Sequence, residues 1–141
     1  MSIIIFFVLL CLSPAILSNK NENDELLKSW EKLFEPFRRE CIKESGVNED
    51  DVIDIEKLLN FPNYENFKCY LKCQYQHLHF VDTEGNFDVP TMLKEVVGIT
   101  ETVINTCILK ASNENDLCNK SYTFGKCCVT EVLNQLNARH S

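Results

Sequence analysis

The sequence predicts a compact all-α domain that is stapled by disulfide bonds. Three observations carry this prediction: apolar residues recur at helical spacing in six segments, turn-forming residues separate those segments, and the chain of 141 residues contains eight cysteines. The chain has only four glycines and four prolines, which argues against a loop-rich knottin or a collagen-like chain. Its length suits a single domain.

Residues 1–18 contain no charged side chain and include an almost unbroken apolar run from Ser2 to Leu12. Small residues suited to cleavage follow, up to Ser18. This pattern predicts a secretory signal peptide over residues 1–18 and a helical domain over residues 19–141. The apolar run is too short to cross a bilayer, and no later stretch approaches the roughly 18 apolar residues that a membrane-spanning helix needs. We therefore expect a secreted protein in an extracellular fluid.

Charge and motifs exclude several function classes. The formal net charge is −7 and the isoelectric point is near 4.9, with lysine and arginine dispersed along the chain. This distribution argues against binding to nucleic acid or to anionic lipids, since both need clustered basic residues. The chain has three histidines and no nucleophile-and-base, phosphate-loop or His-Glu-x-x-His motif. We therefore expect neither catalysis nor a cofactor.

The first predicted helix carries one wide apolar stripe at helical spacing. The stripe consists of Leu26, Leu27, Trp30, Leu33, Phe34, Phe37 and Cys41. Pro36 lies within it, so we expect a kink or two abutting segments, and Gly46 ends the element. Polar residues 48–51 then provide capping groups for a second helix. The apolar face of this second helix is formed by Val52, Ile55, Leu58 and Leu59.

The sequence Phe-Pro-Asn at residues 61–63 breaks the chain before a third helix. The apolar face of that helix is formed by Phe67, Leu71 and Leu78. Cys69 and Cys73 are one helical turn apart, so they lie together on a different side. A polar turn at Gly85-Asn86 follows.

Three more helices are predicted after this turn. Pro90 is placed as a first-turn proline of a short fourth helix, which Gly98 stops. The fifth helix carries Val103, Ile104, Cys107 and Ile108. Polar residues 112–116 separate it from a sixth helix, whose apolar residues are Leu117, Tyr122, Phe124, Val129, Val132, Leu133 and Leu136.

The cysteines outside the predicted signal peptide have the spacing Cys41-x27-Cys69-x3-Cys73-x33-Cys107-x10-Cys118-x8-Cys127, followed directly by Cys128. In a secreted helical chain this spacing indicates a disulfide framework. The alternative is a zinc site, because two cysteines one turn apart could share an ion. Secretion favours oxidation instead, and no paired Cys-x-x-Cys motifs occur, so we expect no metal. Spacing alone leaves 15 pairings of six cysteines open.

This cysteine pattern resembles the insect odorant-binding and pheromone-binding proteins, which have a C-x3-C helix, a long gap and a final C-x8-C. The resemblance covers essentially the whole predicted mature chain. It implies a compact fold of six α-helices that enclose a hydrophobic cavity. It also implies pairing of the first cysteine with the third, the second with the fifth and the fourth with the sixth. The implied disulfides are Cys41–Cys73, Cys69–Cys118 and Cys107–Cys127.

The resemblance further implies ligand contacts at positions counted from the matching cysteines. The positions that line the cavity in relatives are matched by Phe34, Leu71 and Phe124. Tyr75 occupies the position where relatives present a serine hydroxyl to the polar head of the ligand. Periodicity alone would make the apolar residues ordinary core. The remaining ligand-binding candidates are Met92, Ile104 and Leu133.

Cys128 is expected to be a free thiol, because the x8 spacing selects Cys127 for the last disulfide. The residue after the sixth cysteine is a cavity-facing phenylalanine in relatives, so a cysteine there predicts a roomier cavity that the thiol lines. Two alternatives stay open: Cys128 is bridged and Cys127 is free, or an intermolecular disulfide links two chains.

The resemblance implies a carrier that binds small hydrophobic molecules, such as volatile odorants or pheromones, and transports them through aqueous fluid. Apart from the ligand, the candidate partners are an odorant receptor and a second copy of the chain in a homodimer. A different function remains open from the residues alone. A secreted helical protein of this kind could instead recognise another protein through its surface, with an interior that is merely packed.

Overall fold

The computed structural model describes residues 20–141, so the predicted signal peptide lies outside the described residues. Within this range the chain forms seven α-helices and no β-strand, with a single isolated β-bridge between Val81 and Phe87. The helices are α1 (20–34), α2 (Arg38–Ser45), α3 (Ile55–Leu58), α4 (Glu65–His77), α5 (Val89–Glu95), α6 (Glu101–Ala111) and α7 (Leu117–His140). The all-α class that the sequence predicts is confirmed.

The first predicted helix appears as two abutting helices, α1 and α2. A 3-10 turn, Glu35–Phe37, joins them. Pro36 lies in this turn, where its missing N–H and its ring prevent a continuous helical ladder. α2 ends at Gly46, whose φ of +68° suits a glycine, and the Gly46 N–H donates to the Ile42 carbonyl. With α1 and α2 counted as one element, the described chain has the six helical elements that the sequence predicts.

The second predicted helix is shorter than the sequence suggested. Residues 48–59 form a 3-10 turn, Glu49–Asp51, and the four-residue helix α3. The break arises because Asp54 has an extended backbone and accepts a hydrogen bond from the Lys57 N–H at 2.9 Å, which begins a new helix. The fourth predicted helix, α5, likewise ends at Glu95, before Gly98, because Val96 is already extended.

Helix α4 lies at the centre of the fold. It packs against α2 on one side and α7 on the other, while α6 packs against α7. Three disulfides reinforce these contacts: Cys41–Cys73 joins α2 to α4, Cys69–Cys118 joins α4 to α7, and Cys107–Cys127 joins α6 to α7. These are the pairs that the family resemblance implies. Cys128 is buried and free.

The loop between α4 and α5 is closed by side-chain hydrogen bonds. The Asp82 carboxylate accepts from the backbone N–H groups of Asn86 and Glu84, both at 2.9 Å, and these bonds lower the pKa of Asp82. The closed loop places Phe87 against Phe124 of α7, with ring centroids 4.2 Å apart. Among residues 20–141, no helix has the length and apolar character needed to cross a membrane.

Candidate functional site

An apolar cavity lies inside the helical shell. Side chains from α1, α3, α4, α5 and α7, and from the segments that follow α3, α4 and α5, line it. The lining residues are Trp30, Phe34, Leu58, Leu59, Phe61, Leu71, Tyr75, Phe80, Met92, Val96, Ile99, Phe124, Gly125, Cys128, Val129 and Val132. None of these side chains is charged. The volume of the cavity is about 60 Å³.

Six of the eight candidates from the sequence lie in this lining. They are Phe34, Leu71, Tyr75, Met92, Phe124 and Cys128. Ile104 is fully buried, but α6 contributes no side chain to the lining, so Ile104 belongs to the core beside the cavity. Leu133 is half-buried and also lies outside it. It follows Val132, which lines the cavity, and one residue rotates a helical side chain by about 100°.

Several lining residues were not predicted as site residues. Phe61 and Phe80 lie in the segments after α3 and α4, where helical periodicity gives no information about side-chain direction. Gly125 did carry a sequence signal, because a glycine inside a helical pattern often marks a close approach.

Gly125 allows the Tyr75 side chain to reach α7. A Cβ atom at residue 125 would lie 2.1 Å from the Tyr75 hydroxyl oxygen and 3.1 Å from its ring carbon Cζ. Because contacts of that length do not occur, only glycine leaves room for a tyrosine here. The Tyr75 ring is also enclosed by Phe34, Phe80 and Phe124, at centroid distances of 6.3, 6.2 and 6.4 Å.

The Tyr75 hydroxyl is a polar group in an apolar environment. Tyr75 is only 7% exposed, and no hydrogen-bond partner for its hydroxyl is found within residues 20–141. Burial, together with the nearby Cys128, raises the pKa of the phenol above its usual value, so the group is protonated and available as a donor. Since Tyr75 lines the cavity, a ligand that accepts a hydrogen bond there would meet a free donor.

The Cys128 thiol is the second polarisable group in the lining. Cys127, its neighbour, points toward α6 in the Cys107–Cys127 disulfide, so Cys128 projects in a different direction from α7. Burial raises the pKa of the Cys128 thiol to about 12, so the thiolate is scarce at neutral pH. The thiol therefore acts in this cavity as a small apolar side chain.

The Trp30 ring forms part of the cavity wall and is fixed at its polar end. Its indole N–H donates to the Val97 carbonyl at 2.9 Å, which ties α1 to the segment after α5. The buried indole therefore has the partner that it needs.

Two groups of potential metal ligands lie outside the cavity. One is formed by Cys41, Glu44, Cys73 and His77, and the other by Glu65, Cys69 and Cys118. In each group the two cysteines are joined in a disulfide, so neither offers a thiolate to an ion. His77 instead stacks on Phe37, with centroids 5.0 Å apart, and lies 3.6 Å from a carboxylate oxygen of Glu40.

Comparison with known proteins places the chain in a family. Residues 23–131 match the family model described as the PBP/GOBP family. The chain belongs to this family. It is similar to General odorant-binding protein 99b of Drosophila melanogaster, with 29% identity over 119 residues that cover 78% of each chain. It is also similar to General odorant-binding protein 99a of the same species, with 26% identity over 136 residues that cover 92% of this chain and 89% of the relative.

No solved structure matches the chain significantly. Membership of the PBP/GOBP family confirms the resemblance drawn from the cysteine spacing, and this family consists of binding proteins rather than enzymes.

The Gly125–Tyr75 contact predicts a double-mutant result. Gly125→Ala should destabilise the protein by about 1–3 kcal/mol, because the added Cβ overlaps the Tyr75 hydroxyl, although alanine favours helices. In a Tyr75→Phe background the same change should cost clearly less, since the hydroxyl is gone. Urea unfolding measures all four proteins, with Asn134→Ala at an exposed position of α7 as the helix-propensity control. An equal cost in both backgrounds would contradict the contact.

Burial of the Cys128 thiol predicts slow alkylation. At pH 7 iodoacetamide should label Cys128 at least about a hundredfold more slowly in the folded protein than in the protein unfolded in urea. No reductant is added, so that the disulfides stay intact. Because the pKa of the thiol is raised to about 12, labelling of the folded protein should rise with each pH unit through pH 9 without levelling off. Peptide mass spectrometry measures the label. Similar rates in the folded and unfolded protein would mean that the thiol is exposed.

Proposed function

We propose that this protein is a secreted carrier that binds one small hydrophobic molecule in the cavity and transports it through an aqueous fluid, without catalysis. The observation that carries this proposal is an apolar, uncharged lining that surrounds a single unpaired tyrosine hydroxyl. The names of the relatives, General odorant-binding proteins 99a and 99b, support volatile odorants or chemically similar molecules as the ligand class. An odorant receptor and a second copy of the chain are further candidate partners.

The hydrophobic effect supplies the affinity in this proposal. Each Å² of apolar ligand surface that leaves water contributes about 25 cal/mol, and this lining offers almost no competing polar surface. The acidic exterior, with a formal charge of −7, keeps the loaded carrier dissolved. The physical task is therefore carriage of a molecule that water alone dissolves poorly.

Tyr75 orients the ligand. Its protonated hydroxyl donates to an oxygen of an alcohol, aldehyde, ketone or ester, while the remaining lining contacts the hydrocarbon part. A ligand with one oxygen at one end of an apolar chain fits this arrangement better than an ionised ligand, because the lining holds no charged partner.

The cavity must enlarge when it binds such a ligand. Pockets that enclose small molecules usually measure about 300–1,000 Å³, and this cavity measures about 60 Å³. Side chains of the lining therefore move on binding. Met92 is suited to this movement because methionine is unbranched and adapts its shape.

A fluorescence titration tests the proposed function. N-phenyl-1-naphthylamine, an apolar dye that brightens on leaving water, should bind with one site per chain, and unbranched primary alcohols should displace it. A protein that takes up no such dye at any concentration would contradict the carrier function. That result would favour recognition of another protein through the surface.

Tyr75→Phe tests the orienting hydroxyl within the same assay. The variant should bind dodecan-1-ol about two- to tenfold more weakly than the wild type, because one hydrogen bond is lost. Its affinity for dodecane, which has no oxygen, should stay within twofold. The matched control is Tyr64→Phe, which removes a hydroxyl bonded to Asp51 outside the lining. If the affinities for dodecan-1-ol and for dodecane fall by the same factor, Tyr75 contributes to binding by packing alone and not through its hydroxyl.

A further inference from the structure

Phe61 has an unusual backbone conformation for its residue type. Its φ of +47° lies in the left-handed region, where a Cβ atom clashes with the backbone and glycine is normally found. The next residue is Pro62, whose ring favours an extended conformation for the residue before it. Two steric preferences therefore oppose the observed conformation of Phe61.

Contacts with other elements hold Phe61 in this conformation. The Tyr122 hydroxyl donates to the Phe61 carbonyl at 2.7 Å, across 61 positions of the chain. The Phe61 ring also packs edge-on against Phe67 and Tyr122, with centroids 6.1 and 5.9 Å away. The Tyr122 ring is itself flanked by two ammonium groups, those of Lys68 and Lys126, at 5.2 and 5.7 Å from its centroid. These contacts favour the ring position from which the Tyr122 hydroxyl reaches the Phe61 carbonyl.

Phe61 is also part of the cavity wall. It is 8% exposed and stands in the lining, while its backbone lies in the short segment between α3 and α4. The disulfides fix α4, and Phe61 lies outside every helix. Strain of this kind collects at functional sites, and its release lowers the cost of a local movement.

We propose that Phe61 determines the size of the ligand that the cavity accepts, and that the Tyr122 hydroxyl holds Phe61 in the position that closes the cavity. This inference rests on the proposed carrier function. When a larger ligand binds, the backbone of Phe61 leaves the left-handed region for the extended region that Pro62 favours. The Tyr122–Phe61 hydrogen bond breaks, and the ring withdraws from the wall.

Tyr122→Phe tests the hydrogen bond while it keeps the ring. Stopped-flow fluorescence with N-phenyl-1-naphthylamine should show association and dissociation rates about two- to tenfold higher than in the wild type, because the closed position loses one hydrogen bond. The longest primary alcohol that displaces the dye should also be longer for this variant than for the wild type. Tyr64→Phe is the control, since its hydroxyl binds Asp51 away from the cavity, and its rates should match the wild type.

Phe61→Ala tests the ring independently. It should extend the accepted alcohol series by several carbons, and circular dichroism confirms that each variant is folded. Suppose that the wild type binds the dye, and that both variants have its association and dissociation rates and accept the same longest alcohol. Phe61 then does not determine ligand size, and this inference fails while the proposed function stands. If the folded wild type binds no dye, the proposed function fails and this inference fails with it.

Discussion

Helix α4 is held from two sides by disulfides that start one helical turn apart, Cys69 toward α7 and Cys73 toward α2. The two residues that α4 gives to the cavity, Leu71 and Tyr75, lie between and just after these cysteines. Their positions are thus fixed by covalent bonds as well as by the packing of their buried side chains. Each disulfide contributes about 3–4 kcal/mol in the chain-entropy description, which offsets contacts that a hollow centre forgoes.

Hydrogen bonding sets Tyr75 apart from the other three tyrosines. The hydroxyl of Tyr64 donates to Asp51, that of Tyr70 accepts from Gln74, and that of Tyr122 donates to the Phe61 carbonyl. Tyr75 has no such partner among the described residues, although it is buried. Because the fold satisfies the three tyrosine hydroxyls outside the lining and leaves the one within the lining unpaired, the cavity suits a ligand that brings its own acceptor.

The family resemblance implied all three disulfides correctly, whereas only six of the eight candidate ligand-binding residues line the cavity. Positions counted from cysteines, such as Leu71 and Phe124, lie in the lining because disulfides fix helix register. Ile104 was chosen as an apolar residue at helical spacing, and it is buried but does not line the cavity. Helical periodicity predicts which face of a helix is buried, but it does not predict whether that face packs against another helix or against the cavity. Phe61 could not be predicted, because its left-handed backbone contradicts the local preferences of its sequence.

A crystal structure with dodecan-1-ol would show where the ligand binds. One alcohol should lie inside the helical shell, with its hydroxyl oxygen within hydrogen-bond distance of the Tyr75 hydroxyl and its chain among the lining side chains of α1, α5 and α7. The cavity should be larger than the present 60 Å³. An alcohol bound in a surface groove, with Tyr75 still unpaired and the interior unchanged, would contradict binding in the cavity.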